Sequence, residues 1–406
     1  MPRVVVSFHR FGPYHHARLN AAGARGDIVG LELSGVDKTN AWGHVHGADK
    51  FQRVTLFANA DVDELTSTEV VRHVFDHLDR IGPDVVAIPG WWRVGALAQL
   101  SWCVKYDVPA IILSESQAID QKRIWWREAL KRRIANMFAA ALVGGKTHAD
   151  YLISLGFPKQ AIFFGYNVVD NDYFDRGADA ARRDQTRLRQ QYGLPEHYFV
   201  ASGRFIPKKN YHRMIEAYAR YRHGAGDNPW QLLILGDGPL NESLRESVAE
   251  LQLDEHVIFP GYIPYDELPI YYGLAGAFVQ PSTSEQWGLV VNEAMASRIP
   301  VIVSNPCGCA TVLVEPETNG FTFDPFDTNE LAGILARVAS NDCDRSKMSA
   351  AARKSIRQCS PEAFGVNLWR AVNAAIASPN SRPSYADRTI LAAMISKFRR
   401  NQRGMM

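Results

Sequence analysis

The 406-residue sequence contains no run of eighteen apolar residues, so no segment reads as a membrane-spanning helix. Cysteine is scarce: Cys103, Cys307, Cys309, Cys343 and Cys359 are odd in number and lack paired Cys-x-x-Cys halves. That spacing indicates neither a disulfide framework nor a structural zinc site. Charge of one sign is not in excess. With 45 Lys and Arg against 43 Asp and Glu, the formal net charge is +2, so bulk electrostatics gives no argument for nucleic acid and any basic function has to be local. The opening Pro2-Arg3-Val4-Val5-Val6-Ser7-Phe8 is too short an apolar run for a signal peptide and reads as a first strand. These absences set the expectation of a globular protein in a reducing, cytoplasmic setting.

What the chain does contain is an alternation of strands and helices on a length that suits two domains. Val4-Val5-Val6, a turn at Gly12 and a strand at 28–33 form a β-α-β opening, and further strands are expected at 84–88, 109–113, 139–143 and 162–164. The pattern restarts at Tyr198, with strands at 198–204, 231–235, 257–259, 275–279, 300–304 and 320–324, and helices at 329–339 and 361–376 close the second half. The expected fold is α/β, with two doubly wound Rossmann-like domains facing a central cleft and ligands beyond the carboxyl ends of the strands. The expected divisions are an acceptor-side domain at 1–172, a nucleotide-binding domain at 173–375 and a basic tail at 376–406, with 379–384 as a linker. Three placements of the tail stay open: packed on the first domain, on a lipid surface, or frayed.

A helical pattern at 124–138 carries Trp126, Leu130, Ile134, Met137 and Phe138 on one stripe, with Arg123, Arg127, Lys131, Arg132 and Arg133 around it. It reads either as an amphipathic core helix with a solvated basic side or as a basic surface resting on anionic lipid.

The most informative stretch is Gln280-Pro281-Ser282-Thr283-Ser284-Glu285-Gln286-Trp287-Gly288-Leu289-Val290-Val291-Asn292-Glu293-Ala294-Met295-Ala296. It follows an apolar strand, breaks at Pro281 into a polar loop and resumes as a helix near Gly288. The free amides of Gly288, Leu289 and Val290 at that helix start suit an anion such as a diphosphate. Glu285 in the loop and Glu293 eight positions on are carboxylates able to accept hydrogen bonds from sugar hydroxyls and from a ribose diol. Upstream, Gly203-Arg204 ends a strand and Lys209 is expected at the start of the next helix, two cations suited to a diphosphate, with Lys208 read as a solvated neighbour. Gly236-Asp237-Gly238 forms another strand-end turn, a weak signal alone.

Pro-Ser-x-x-Glu, a glycine and Glu-Ala-Met-Ala at this spacing resemble the signature of retaining glycosyltransferases of family 4, and Gly203-Arg204…Lys209 matches the same family's cationic element. Asn167-Val168-Val169-Asp170…Phe174 resembles the segment ending that family's first half, with Val168 in place of its glycine. Other departures are a single glycine, Gly12, where many relatives have two, Ser114-Glu115-Ser116 where relatives often have a histidine, and Arg298 where they generally have glycine.

The resemblance implies a GT-B fold and a metal-independent hexosyltransferase that retains anomeric configuration, acting in cell-surface polysaccharide or glycoconjugate assembly. It implies no cofactor beyond a nucleotide-sugar donor, a UDP-sugar ahead of a GDP-sugar, and a carbohydrate or lipid-linked acceptor. It implies that Arg204, Lys209 and Glu285 are catalytic. Donor contacts would come from Gly12, Gly203, Gly236, Tyr262, Ile263, Gly288, Leu289, Val290 and Glu293, and acceptor contacts from His9, His15 and Glu115. Peripheral contact with the inner face of a membrane is left open, and no nucleic acid is expected. A sugar phosphorylase, a sugar-nucleotide epimerase and a non-catalytic nucleotide-sugar-binding subunit remain as alternatives.

Overall fold

The computed structural model describes residues 1–36, 49–225, 229–378 and 383–403. The chain divides into two compact units, Met1–Val169 with Pro361–Met406, and Asp170–Ser360.

The first unit is built on seven strands: β1 (Val4–Phe8), β2 (Ile28–Ser34), β3 (Gln52–Phe57), β4 (Val85–Pro89), β5 (Ala110–Ser114), β6 (Ala140–Val143) and β7 (Ile162–Phe164). All pair in parallel, in the order β3-β2-β1-β4-β5-β6-β7. β1, β2, β5 and β6 are buried along their whole length, as expected of a parallel sheet covered on both faces. The sequence reading contains neither β3 nor the helix Ser67–Ile81. β3 is a half-exposed edge strand, and its Arg53 and Thr55 side chains donate to the buried Glu32 carboxylate at 3.0 and 2.8 Å. The helix carried clearer signals: Thr66 and Glu69 form a capping box, and Val70, Val74 and Leu78 recur every fourth residue on its buried face.

The helix Pro361–Ala377 falls in the second domain by sequence, whereas in the structure it covers the first sheet. It buries Phe364, Leu368, Ala371, Val372 and Ala375, and the Trp369 indole donates to the Ala22 carbonyl at 3.0 Å. Gly365 lets it approach the helix Pro13–Gly23, since a Cβ there would stand 2.8 Å from the Ala21 carbonyl oxygen. Periodicity specifies that a helix has an apolar face but not which sheet that face covers.

The helix at 124–138 is shorter than its apolar stripe and runs Trp125–Ala135. Ile134 and Phe138 are buried, but Trp126 is 47% exposed and lies off the core. The last helix, Tyr385–Arg403, places Leu391 and Ile395 in the first unit's core, and Arg133 pairs with Asp387 at 2.8 Å. Residues 379–382 of the expected linker and 404–406 of the tail lie outside the described residues. Among the described residues no helix is long and apolar enough to cross a membrane.

The second unit repeats the architecture with β8 (Tyr198–Ser202), β9 (Gln231–Leu235), β10 (Val257–Gly261), β11 (Ala277–Gln280), β12 (Val301–Ser304) and β13 (Gly320–Phe323), in the order β10-β9-β8-β11-β12-β13. The order reverses between β8 and β11, the position in a doubly wound sheet where neighbouring loops part and leave a crevice. Arg298, the departure from glycine, sits just past the helix Leu289–Ala296 with φ +60°, a left-handed cap that normally favours glycine. Its guanidinium is held by Asp175 and by Asp179, the latter at 2.7 Å, and these contacts offset the unfavourable backbone.

Candidate functional site

Each side of the β8/β11 reversal contributes one loop. After β8, Gly203 (φ +153°) and the exposed Arg204 lead into a short 3-10 turn, Pro207–Lys209. Lys209 therefore precedes the helix Tyr211–Gly224 rather than beginning it, separated by Asn210 in the left-handed region at φ 58°. The buried Asn210 amide donates to the carbonyls of Pro281 and Pro325 at 3.1 and 2.8 Å, joining this turn to the loop after β11.

That loop presents Glu285 to the two lysines. Lys209 Nζ reaches Glu285 Oε2 at 2.5 Å and Lys208 Nζ reaches Oε1 at 3.5 Å. Lys208 is exposed, as the sequence reading expects, and adds a longer-range contact to the carboxylate that the reading did not contain. Burial pushes the Glu285 carboxyl up, but the Lys209 ammonium and then Lys208 outweigh it, so the group sits below the usual glutamate value and is ionised at neutral pH. The Glu285 carbonyl also accepts from Gly308, which ties the loop to the segment after β12.

Glycines allow this convergence. A Cβ on Gly203 would stand 3.0 Å from the Tyr211 hydroxyl and 3.5 Å from Lys209 Nζ, and a Cβ on Gly236 would collide with the Gly203 carbonyl. Gly288 (φ +100°) caps the helix Leu289–Ala296, close to the Glu285 Cγ, with Leu289 and Val290 partly exposed in its first turn. Glu293, one turn deeper, is 1% exposed and accepts the Tyr272 hydroxyl at 2.8 Å. Burial, followed by the neighbouring Glu293 carboxylate, pushes the Tyr272 phenol well above its ordinary value and keeps it a donor.

The second unit therefore brings Gly203, Lys209, Gly236, Glu285 and Gly288 together. Arg204 projects from the same carboxyl edge with no side-chain hydrogen bond or ion pair among the described residues. Tyr262 is 53% exposed and Ile263 buried, just after β10, whose Gly261 carbonyl accepts from Gly236 at 2.8 Å. Sequence reasoning passes over Tyr211, whose buried hydroxyl finds no hydrogen-bond partner among the described residues and lies beside Gly203. Only the spacing of Tyr211 two residues after Lys209 could have pointed to it.

On the first sheet each candidate is engaged by a neighbouring group. His9, after β1, accepts from Arg93 at 2.9 Å, and Arg93 donates to Asp63 at 2.8 Å. His9, Asp61 and Asp63 place potential metal-ligating atoms within 4.8 Å of one another, with the Arg93 cation among them. Gly12 caps the helix Pro13–Gly23, and its N–H donates to His15 Nδ1 at 3.0 Å. Burial, then the nearby Arg18, pulls His15 from 6.5 down to about 3, so its ring is neutral. Glu115, after β5, accepts from the Asn167 amide. The buried Arg18 donates to the Val168 carbonyl at 3.1 Å, with its guanidinium 4.9 Å from the Tyr166 ring centroid.

Comparison with known proteins adds to this geometry. Residues 184–355 match the family model described as "Glycosyl transferases group 1". The GDP-mannose-dependent alpha-(1-6)-phosphatidylinositol monomannoside mannosyltransferase of Mycobacterium tuberculosis is 32% identical over 237 residues, 56% of this chain and 59% of that protein. The alpha-D-kanosaminyltransferase of Streptomyces kanamyceticus is 30% identical over 180 residues, 44% of this chain and 45% of that protein. The chain spans about half the length of these curated relatives. Among solved structures, Anabaena Alr3699/HepE in complex with UDP and glucose superposes with a TM-score of 0.71 at 16% identity, covering 92% of this chain and 100% of that one. Sucrose-phosphate synthase from Thermosynechococcus elongatus gives 0.70 at 19%, with 92% and 100% covered. At such identities the likeness is one of fold: two Rossmann-like parallel-sheet domains with GT-B neighbours.

Proposed function

We propose that this chain is a glycosyltransferase that moves a sugar from a nucleoside-diphosphate donor to a carbohydrate or lipid-linked acceptor, with retention of configuration and without a metal ion. The carrying observation is the convergence of Lys209, Lys208 and Glu285 on the glycine-lined carboxyl edge at the β8/β11 reversal, within the segment that matches group 1 glycosyl transferases.

In this reading the donor diphosphate lies against Arg204, Lys209 and the helix start at Gly288, Leu289 and Val290. The cations and the backbone amides oppose the negative charge that builds on the leaving diphosphate. Glu285 accepts hydrogen bonds from the donor sugar, and its ion pair with Lys209 fixes the orientation of both groups before the donor arrives. Glu293, held by Tyr272, takes the ribose diol. Gly203 and Gly236 keep the floor open, and Tyr262 and Ile263 receive the base through their backbone. Gly12 approaches the donor from the first unit, and His9, His15 and Glu115 serve the acceptor side. The donor is a UDP-sugar, with a GDP-sugar as the second candidate; a neighbour solved with UDP fits the first and a relative named for GDP-mannose fits the second. A lipid-linked acceptor would bring the protein to the inner face of a membrane in peripheral contact.

The test is binding followed by turnover. Thermal unfolding with UDP, GDP, ADP and their sugars should show a rise in midpoint with at least one of them, because a ligand of the native state stabilises by mass action. Calorimetry detecting no association with any nucleoside diphosphate would end this reading. Product analysis of the anomeric linkage, with and without chelator, checks retention and metal independence.

A further inference from the structure

We propose that the end of the first unit bearing the helix Trp125–Ala135 is a docking surface for an anionic phospholipid bilayer, with Trp125, Trp126 and Ile119 entering the interface and Lys122, Arg127 and Arg132 meeting the headgroups. This deepens the membrane contact in the reading above by naming the face that makes it, and its observations are separate from those of the donor site.

Trp125 is 83% exposed, Ile119 58% and Trp126 47%, three large apolar side chains within eight residues of a chain that buries most of its others. Indoles are enriched where one end of the ring meets hydrocarbon and the other meets water. Trp125, Ala129 and Arg132 recur at four and then three residues, are all exposed and so share one face of the helix, while Ile134 and Ala135 turn inward.

Residues 118–133 hold six cations, Lys122, Arg123, Arg127, Lys131, Arg132 and Arg133, against Asp120 and Glu128. Glu128 is already shared by Arg123 and Lys131, and Arg133 is taken by Asp387. Among the described residues Lys122, Arg127 and Arg132 have no acidic partner, and Arg127 lies 5.2 Å from the Trp126 ring centroid. An unneutralised basic patch beside exposed indoles fits an acidic bilayer surface better than an apolar protein groove, which would have to strip water from three uncompensated cations.

The patch is also rigidly held. Arg123 donates to the carbonyls of Gln117 and Ala118, each at 2.6 Å, and to the Tyr151 hydroxyl at 2.6 Å. This fixes the turn bearing Ile119 and Lys122 against the helix bearing the tryptophans, so little ordering entropy is lost on docking.

The test is co-sedimentation of the full-length protein with phosphatidylcholine vesicles, with and without phosphatidylglycerol. Wild type should sediment with the mixed vesicles, show a blue-shifted tryptophan emission and dissociate as salt rises. Lys122→Glu, Arg127→Glu and Arg132→Glu together should lower partitioning by about a hundred-fold or more, taking each cation at about five-fold. Trp125→Ala with Trp126→Ala should lower it at least about ten-fold and abolish the emission shift. Because these side chains are exposed, circular dichroism should stay unchanged, and nucleoside diphosphate binding measured on the same variants should match wild type. Equal binding to neutral vesicles, no binding by wild type, or unaltered binding by both variants would each overturn the proposal. So would self-association that the tryptophan variants abolish without vesicles, which would assign the face to a second copy. Loss of nucleotide binding in wild type would instead strike the donor-site reading and leave the vesicle result standing.

Discussion

The two sheets follow the same strand order, which the first extends by β7, but finish their carboxyl edges differently. On the second sheet the edge is shaped by backbone: Gly203, Gly236, Gly238, Gly261 and Gly288 all hold positive φ, and two lysines converge on one carboxylate. On the first, only Gly90 and Gly165 do so at strand ends among the described residues, and the polar side chains satisfy one another. Arg93 bridges His9 and Asp63, Asn167 holds Glu115, and Arg18 is spent on a carbonyl. The second edge pairs its lysines with Glu285 but leaves the exposed Arg204 for a ligand to complete, whereas on the first edge each of these polar groups already has a partner to exchange when a ligand arrives.

Four experiments break or sharpen that contrast. The largest effect is expected for Lys209→Ala or Glu285→Gln. Either should lower turnover with the working donor by roughly 10²- to 10³-fold, as for a lost preorganised charge contact, while Arg93→Ala on the other edge should leave donor binding intact. Equal losses of donor affinity from both edges would erase the distinction.

Next is Gly236→Ala. The new Cβ meets the Gly203 carbonyl at a φ of +127°, so the variant should lose about 2 to 3 kcal/mol in urea unfolding. Gly82→Ala, where nothing lies within 4 Å and only φ +59° opposes the change, should lose about 1 kcal/mol.

The third concerns pH. His15 binds its proton more weakly folded than unfolded, so its contribution to stability is complete above 6.5 and drains away as pH falls toward about 3. His15→Gln, which keeps an acceptor for the Gly12 amide, should flatten the dependence of unfolding free energy by up to about 1.4 kcal/mol per pH unit across that window. An unchanged slope would show that the ring is not held neutral. The smallest effect is expected for Lys208→Ala. Its ammonium is half exposed at the longer arm of the Glu285 pair, so turnover should fall by less than about five-fold.

Much of the second edge was legible in the sequence because it depends on local backbone. A strand ending in Gly203-Arg204, and a loop whose Glu285 precedes a glycine-capped helix start, announce their geometry through residue type and spacing. The first edge depends on partners far apart in sequence: Arg93 with His9, Asn167 with Glu115, Arg18 with Val168. No periodicity connects those residues. Lys208 and Lys209 differ in burial and in how near each comes to Glu285, which the sequence does not encode locally. Trp126 fits the helical stripe read from the sequence, and only the packed unit shows it outward, beside the exposed Trp125.

The helix Pro361–Ala377 carries a consequence for synthesis. As the chain emerges from the ribosome, the strands of the first sheet are complete by Phe164, yet the helix that covers one side of it is translated only after the entire second unit. For nearly two hundred residues the nascent protein must carry an uncovered hydrophobic face, including the seat of Trp369 beside Ala22. A chain halted at residue 170 should therefore be recovered as aggregate rather than as a free-standing domain, and co-expressing 361–403 as a separate segment should restore part of it to solution.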